Sequence, residues 1–140
     1  MVHTSLSPNT EPDDLWLAFK SLMPWYWLSW RKGADTRKLE QAFEEKFSGQ
    51  HAVSFQRGRD AFMVLLQAMG IGSGDDVILQ AYTCLVVPNA ILAVGAKPVY
   101  SDIEEDGLNI DPQGIERAIT EKTKAVLVQH TFGEPANLSK

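Results

Sequence analysis

From His51 onward, short apolar runs alternate with stretches whose apolar residues recur at helical spacing. Ala52, Val53 and Phe55 make the first run, and Ala61, Phe62, Leu65, Leu66 and Met69 then share one helix face. The pattern repeats: strand Val77 to Leu79 before helix Leu85 to Val94, strand Pro98 to Tyr100 before helix Pro112 to Ile119, then strand Ala125 to Gln129. Single helices between short apolar strands require right-handed crossovers, so the pattern predicts an α/β fold with a mainly parallel sheet and helices on both faces. Boundary residues agree, since Gly70 and Gly95 each follow a helix and Asp111 with Pro112 offers a cap and first turn.

Ahead of this region, Leu39, Ala42, Phe43 and Phe47 predict an amphipathic helix ending near Gly49. Gly33 to Asp35 separates it from the Trp-rich run Leu15 to Trp30, which Lys20 and Pro24 interrupt and which falls short of the ~20 apolar residues that a membrane span needs. Two readings of that run stand: a helix buried in the core or at a subunit interface, and a helix lying on a membrane surface or a partner. Glu11, Asp13 and Asp14 precede it where a signal peptide would carry positive charge. Met1 to Asp14 reads as an unpacked lead-in. The division expected is an N-terminal segment over 1–35 and a partial α/β domain over 36–140.

Composition narrows the classes. A hydrophobic share of 44% suits a folded domain, and a formal net charge of -5 without a basic run excludes a nucleic-acid groove. One cysteine, Cys84, rules out an internal disulfide and fits a reducing cytoplasm. No metal set is expected: His51 has no second ligand at metal spacing, and the acidic run Asp102, Glu104, Glu105 and Asp106 reads as a solvated turn.

Candidate chemistry centres on Gln56, Arg57, Gly58, Arg59 and Asp60, the turn between the first apolar run and its helix. A helix N-terminus presents unpaired amides to an anion, and the glycine lets the backbone come close. Arg57 and Arg59 either assist such an anion or pair with nearby acids such as Asp60. The run Gly70 to Gly74 imitates a dinucleotide fingerprint but follows a helix and precedes a strand, the reverse of what that motif requires.

Across Thr36 to Lys140 the blocks VSFQRGRDAF, GSGDDVILQAYTCLVVPNAI and GAKPVYSDIEEDGLNIDPQGIERAITEKTKAVLVQHTFGEPANL occur in an order that resembles the DegT/StrS family of pyridoxal-phosphate sugar aminotransferases. The resemblance implies the N-terminal part of a fold type I (aspartate-aminotransferase-like) large domain. It implies transfer of an amino group from an amino-acid donor to a keto-sugar, usually nucleotide-linked, by a homodimer in the cytoplasm. The family's opening turn usually reads Ser-Gly-Thr, which falls on Arg57, Gly58 and Arg59; the phosphate would then rely on the amides of Gly58, Arg59 and Asp60 and on a guanidinium. Where the family has an aromatic residue over the cofactor ring, this sequence has Cys84, which reads equally as a small buried residue at a helix start. His130 either borders the pocket or serves backbone groups.

In that family the aspartate that meets the pyridine nitrogen and the lysine that bonds the cofactor covalently lie downstream of the point matched by Lys140. The 140-residue chain alone is therefore expected to lack transaminase activity and to carry no catalytic residue. A competing reading is a non-catalytic domain that keeps part of the cofactor scaffold for dimerisation or partner binding. An unrelated nucleotide-binding module is disfavoured by the absence of G-x-x-x-x-G-K-[ST].

Overall fold

The computed structural model describes residues 12–30, 33–48 and 51–138. The expectations for Met1 to Glu11, for a helix end at Gly49 and for Lys140 lie outside the described residues. The chain divides into two compact units, Met1–Ser54 and Phe55–Lys140.

In the first unit the Trp-rich run forms two helices, α1 (Pro12–Ser21) and α2 (Pro24–Trp30), followed by α3 (Ala34–Lys46). Pro24 explains the break, because it has no N–H to continue the first helix and its fixed φ suits the first position of the second. Trp27 spans the break by donating its indole N–H to the Ser21 carbonyl at 2.6 Å. One expectation for this run is burial in the core or at a subunit interface, and the structure corrects the first alternative. Trp16, Trp25 and Trp27 are all exposed, and no described side chain of α1–α3 is buried. Helices this short bury an apolar face only against a neighbouring layer, and this unit supplies no second layer. Their contacts are local: Trp16 stacks on Phe19 at 5.9 Å between ring centroids, and the Lys20 ammonium sits over the Trp16 ring at 5.4 Å.

The first expected strand, Ala52 to Phe55, is also corrected: it joins no ladder. Its amides are taken by side chains instead, Ala52 N–H by Glu44 Oε1 at 3.1 Å and Ser54 N–H by Glu40 Oε1 at 2.9 Å. These bonds from the Ser54 backbone, and then from its hydroxyl, hold the Glu40 carboxyl below the usual carboxylate range.

The second unit contains α4 (Gly58–Ala68), β1 (Asp76–Gln80), α5 (Val86–Ala93), β2 (Lys97–Ser101), α6 (Pro112–Ala118) and β3 (Thr123–Leu127). The strands form one parallel sheet in the order β2-β1-β3. All five residues of β1 are buried, as a central strand covered on both faces must be. Alternate residues then divide between two layers. Val77 and Leu79, with Ala125 and Leu127 of β3, meet Leu66 and Phe62 of α4 and Ile91 and Val87 of α5. Burying Leu66 and Ile91 contributes about 1.5–3 kcal/mol each. Ile78 and Gln80 face the opposite way, where α6 packs on β2.

That second packing depends on one glycine. Asp111 caps α6 by accepting from the Gln113 and Gly114 amides at 3.0 and 2.9 Å, and Pro112 takes the first position, as the sequence indicates. The cap sets buried Gly114 against Ser101, the β2 residue paired with Gln80, so closely that a Cβ on Gly114 would collide with Ser101 Oγ. Gly114→Ala is accordingly expected to cost ~1–3 kcal/mol in urea unfolding, and Ser101→Gly in the same chain is expected to recover most of it. Equal losses in single and double variants would show that the helix is not seated through this contact.

Candidate cofactor site

The carboxyl edge of the sheet carries two clefts. The first, about 490 Å³, is walled by Arg57, Gly58 and Arg59 at the start of α4, by Phe62, Val86 and Val87, and by Leu127 and Gln129 at the end of β3. The second, about 640 Å³, lies between Tyr82, Thr83 and Cys84 after β1 and Gln129, His130, Thr131 and Phe132 after β3. Gln129 lines both. Of the residues singled out from sequence, Arg57, Gly58 and Arg59 come together in the first cleft and Cys84 opens on the second.

The turn before α4 is built to leave donors unused. Arg57 is the N-cap in an extended conformation, with φ -145° and ψ 143°, and makes no side-chain cap. Its carbonyl accepts from both Asp60 N–H and Ala61 N–H at 3.1 Å. Asp60, one of the three expected phosphate amides, is thus already engaged, and the Gly58 and Arg59 amides have no intrahelical acceptor. Neither guanidinium makes an ion pair or hydrogen bond among the described residues, so the pairing of these arginines with Asp60 does not occur. A Cβ built on Gly58 meets nothing within 4 Å, so the space before this backbone is open.

Two buried amide side chains organise the loops of this edge. Gln80, fully buried at the end of β1, donates through Nε2 to the Tyr82 carbonyl at 2.6 Å, the Leu108 carbonyl at 3.2 Å and Thr131 Oγ1 at 2.9 Å. Asn109 donates to the Glu134 carbonyl at 3.1 Å and accepts from Thr131 N–H at 3.0 Å. The loops after β1, β2 and β3 are thereby tied together. His130 is held as well, its Nδ1 accepting from Ala136 N–H at 3.0 Å, which leaves Nε2 to carry the proton of the neutral ring. This supports the backbone-serving reading of His130, on a side chain that also lines the cleft. Phe132, in the left-handed region at φ 53°, is 85% exposed at the cleft rim. Cys84 is exposed, so the reading of a small buried residue does not hold. His51 is solvated, 3.9 Å from Glu44.

Among the described residues three side-chain oxygens at this edge are shut from solvent without a partner: Gln80 Oε1, Thr83 Oγ1 and Gln129 Oε1. Gln80 and Gln129 escaped the sequence reading, although a signal was available. Each closes an otherwise apolar strand at the carboxyl edge, where α/β proteins place their sites.

A parallel α/β sheet whose carboxyl edge offers unpaired cations and free helix amides defines a class that binds anionic small molecules. Comparison with known proteins narrows the class. Residues 18–140 match the DegT/DnrJ/EryC1/StrS aminotransferase family, and the chain belongs to that family. It is 40% identical over 106 residues to a pleiotropic regulatory protein of Geobacillus stearothermophilus, covering 76% of this chain. It is 39% identical over 112 residues to the spore coat polysaccharide biosynthesis protein SpsC of Bacillus subtilis, covering 80% of this chain. In each case it spans 28% of the relative's length. The structure of NtdA from Bacillus subtilis with bound cofactor PMP superposes with a TM-score of 0.70 at 34% identity, over 74% of this chain and 24% of that one. No helix among the described residues is long and apolar enough to cross a membrane.

Replacing Gln80 by Leu strips donors from two buried carbonyls and the Thr131 hydroxyl. The expected cost is ~1–3 kcal/mol by urea unfolding, with faster amide exchange in the 131–134 loop. An unchanged exchange rate there would mean that the loop is held by other contacts.

Proposed function

We propose that this chain supplies the phosphate end of a pyridoxal-phosphate site in an aminotransferase that acts on a keto-sugar, usually nucleotide-linked, with an amino-acid donor. The observation that carries the reading is that Arg57, Gly58 and Arg59, whose guanidiniums are unpaired among the described residues, wall one cleft at the start of α4. A phosphate monoester carries about -1.5 to -2 charges at neutral pH, which two arginines balance. The sugar is suggested by the similarity to a polysaccharide biosynthesis protein, and the cofactor by the similarity to a PMP-bound structure.

The donor set fits the group. Gly58 lets the backbone reach a phosphate, Arg57 and Arg59 neutralise it, and apolar Phe62, Val86, Val87 and Leu127 exclude water beside it. Cys84 would lie against the ring from the second cleft. The cofactor would supply the electron sink of the reaction. This chain by itself would carry out no transamination. The complete protein would be a cytoplasmic homodimer, with an N-terminal segment over 1–35 and the cofactor domain from 36 onward.

The test is non-covalent binding of pyridoxamine 5'-phosphate to the 140-residue chain, measured by isothermal titration calorimetry. Arg59→Ala is expected to weaken binding ~10–100-fold, as loss of a charge-assisted bond does, and removal of the ligand's phosphate should weaken it comparably. Gly58→Ala should leave stability unchanged or slightly raised, because its Cβ meets nothing, and yet weaken binding because the new methyl occupies the phosphate's approach. Equal affinity for pyridoxamine with and without phosphate would refute the reading.

A further inference from the structure

Gln129 lies just past β3, after Val128, and walls both clefts. Its carboxamide oxygen is closed off from solvent and accepts no hydrogen bond, although nearly all buried polar atoms find a partner. Thr83 Oγ1, on the other wall of the second cleft, is in the same condition. Gln80 Oε1 is likewise shut off without a partner, but the Gln80 amide nitrogen is committed to three loop acceptors. Gln80 closes the edge of the sheet, whereas Gln129 makes no such tie and stands in the wall of both clefts. An unfilled acceptor destabilises the ligand-free chain, and an apolar side chain of the same length would remove that cost.

We infer that Gln129 is a cofactor-contact residue. Its carboxamide oxygen accepts a hydrogen bond from a donor on the cofactor's ring, which positions the ring between the phosphate cleft and the cleft of Thr83 and Cys84. This rests on the cofactor reading above, and it adds a polar contact at the ring end to the charge contacts at the phosphate end. Gln129 thereby links recognition of the two ends of one ligand, a role that neither arginine can fill from the start of α4.

The test uses the 140-residue chain with Gln129→Met, which keeps the length of the side chain and removes its acceptor. Pyridoxamine 5'-phosphate affinity is expected to fall about tenfold, as for loss of one buried hydrogen bond. Inorganic phosphate affinity should not change, and the thermal midpoint of the ligand-free variant should hold or rise. A fall in the midpoint together with affinity would mark Gln129 as a structural residue and overturn the inference. An equal loss of inorganic phosphate affinity would overturn it too, by placing the effect at the phosphate end. If Arg59→Ala abolishes binding while Gln129→Met retains full affinity, the cofactor reading survives and this inference fails. If the unaltered chain binds no pyridoxamine 5'-phosphate, both fail together.

Discussion

A single buried carboxamide sets the shape of the carboxyl edge. Gln80 sits at the end of the central strand with no solvent exposure, and its two N–H bonds are shared among acceptors from the loops that follow β1, β2 and β3. Inverting the amide would set its oxygen against two carbonyl oxygens, so only one orientation is stable. Because the loops after β1 and β3 wall the second cleft, the position of Thr83, Thr131 and their neighbours follows from a hydrogen-bonding constraint and not from loop composition. Asn109 repeats the device from the β2 side, so the segment 131–134 is held from two directions.

The first cleft depends on a different principle. Its cations approach from a helix start where the chain has left donors unspent: Arg57 gives up its carbonyl to two amides and caps nothing with its side chain. Where the resembling family places hydroxyl side chains around the glycine, this chain places two arginines. A hydroxyl gives one neutral hydrogen bond of fixed reach, whereas a guanidinium carries charge and a fork of donors. Under the proposed function, phosphate recognition at this turn leans on charge.

Much of this was legible in the sequence because it rests on local rules. The unbroken apolar run of β1, the Asp111 and Pro112 cap and the glycine turn before α4 each carry their signal within a few residues. The misreadings share a different cause. Ala52 to Phe55 has strand composition, but a strand exists only with a partner, and its amides go to Glu40 and Glu44 instead. The Trp-rich run has core composition, yet burial requires a facing layer that its own unit lacks. The ties made by Gln80 and Asn109 were not legible for the same reason: the groups they bind lie far away in the chain, brought together only when three strands align.

The central claim is that a phosphate sits on the free amides at the start of α4. An amide-resolved NMR titration of the 140-residue chain with pyridoxamine 5'-phosphate tests it most directly. The largest shifts are expected at the Gly58 and Arg59 amides, with smaller ones at Gln129 and Thr83. Shifts that leave Gly58 and Arg59 unmoved while clustering elsewhere would contradict the account.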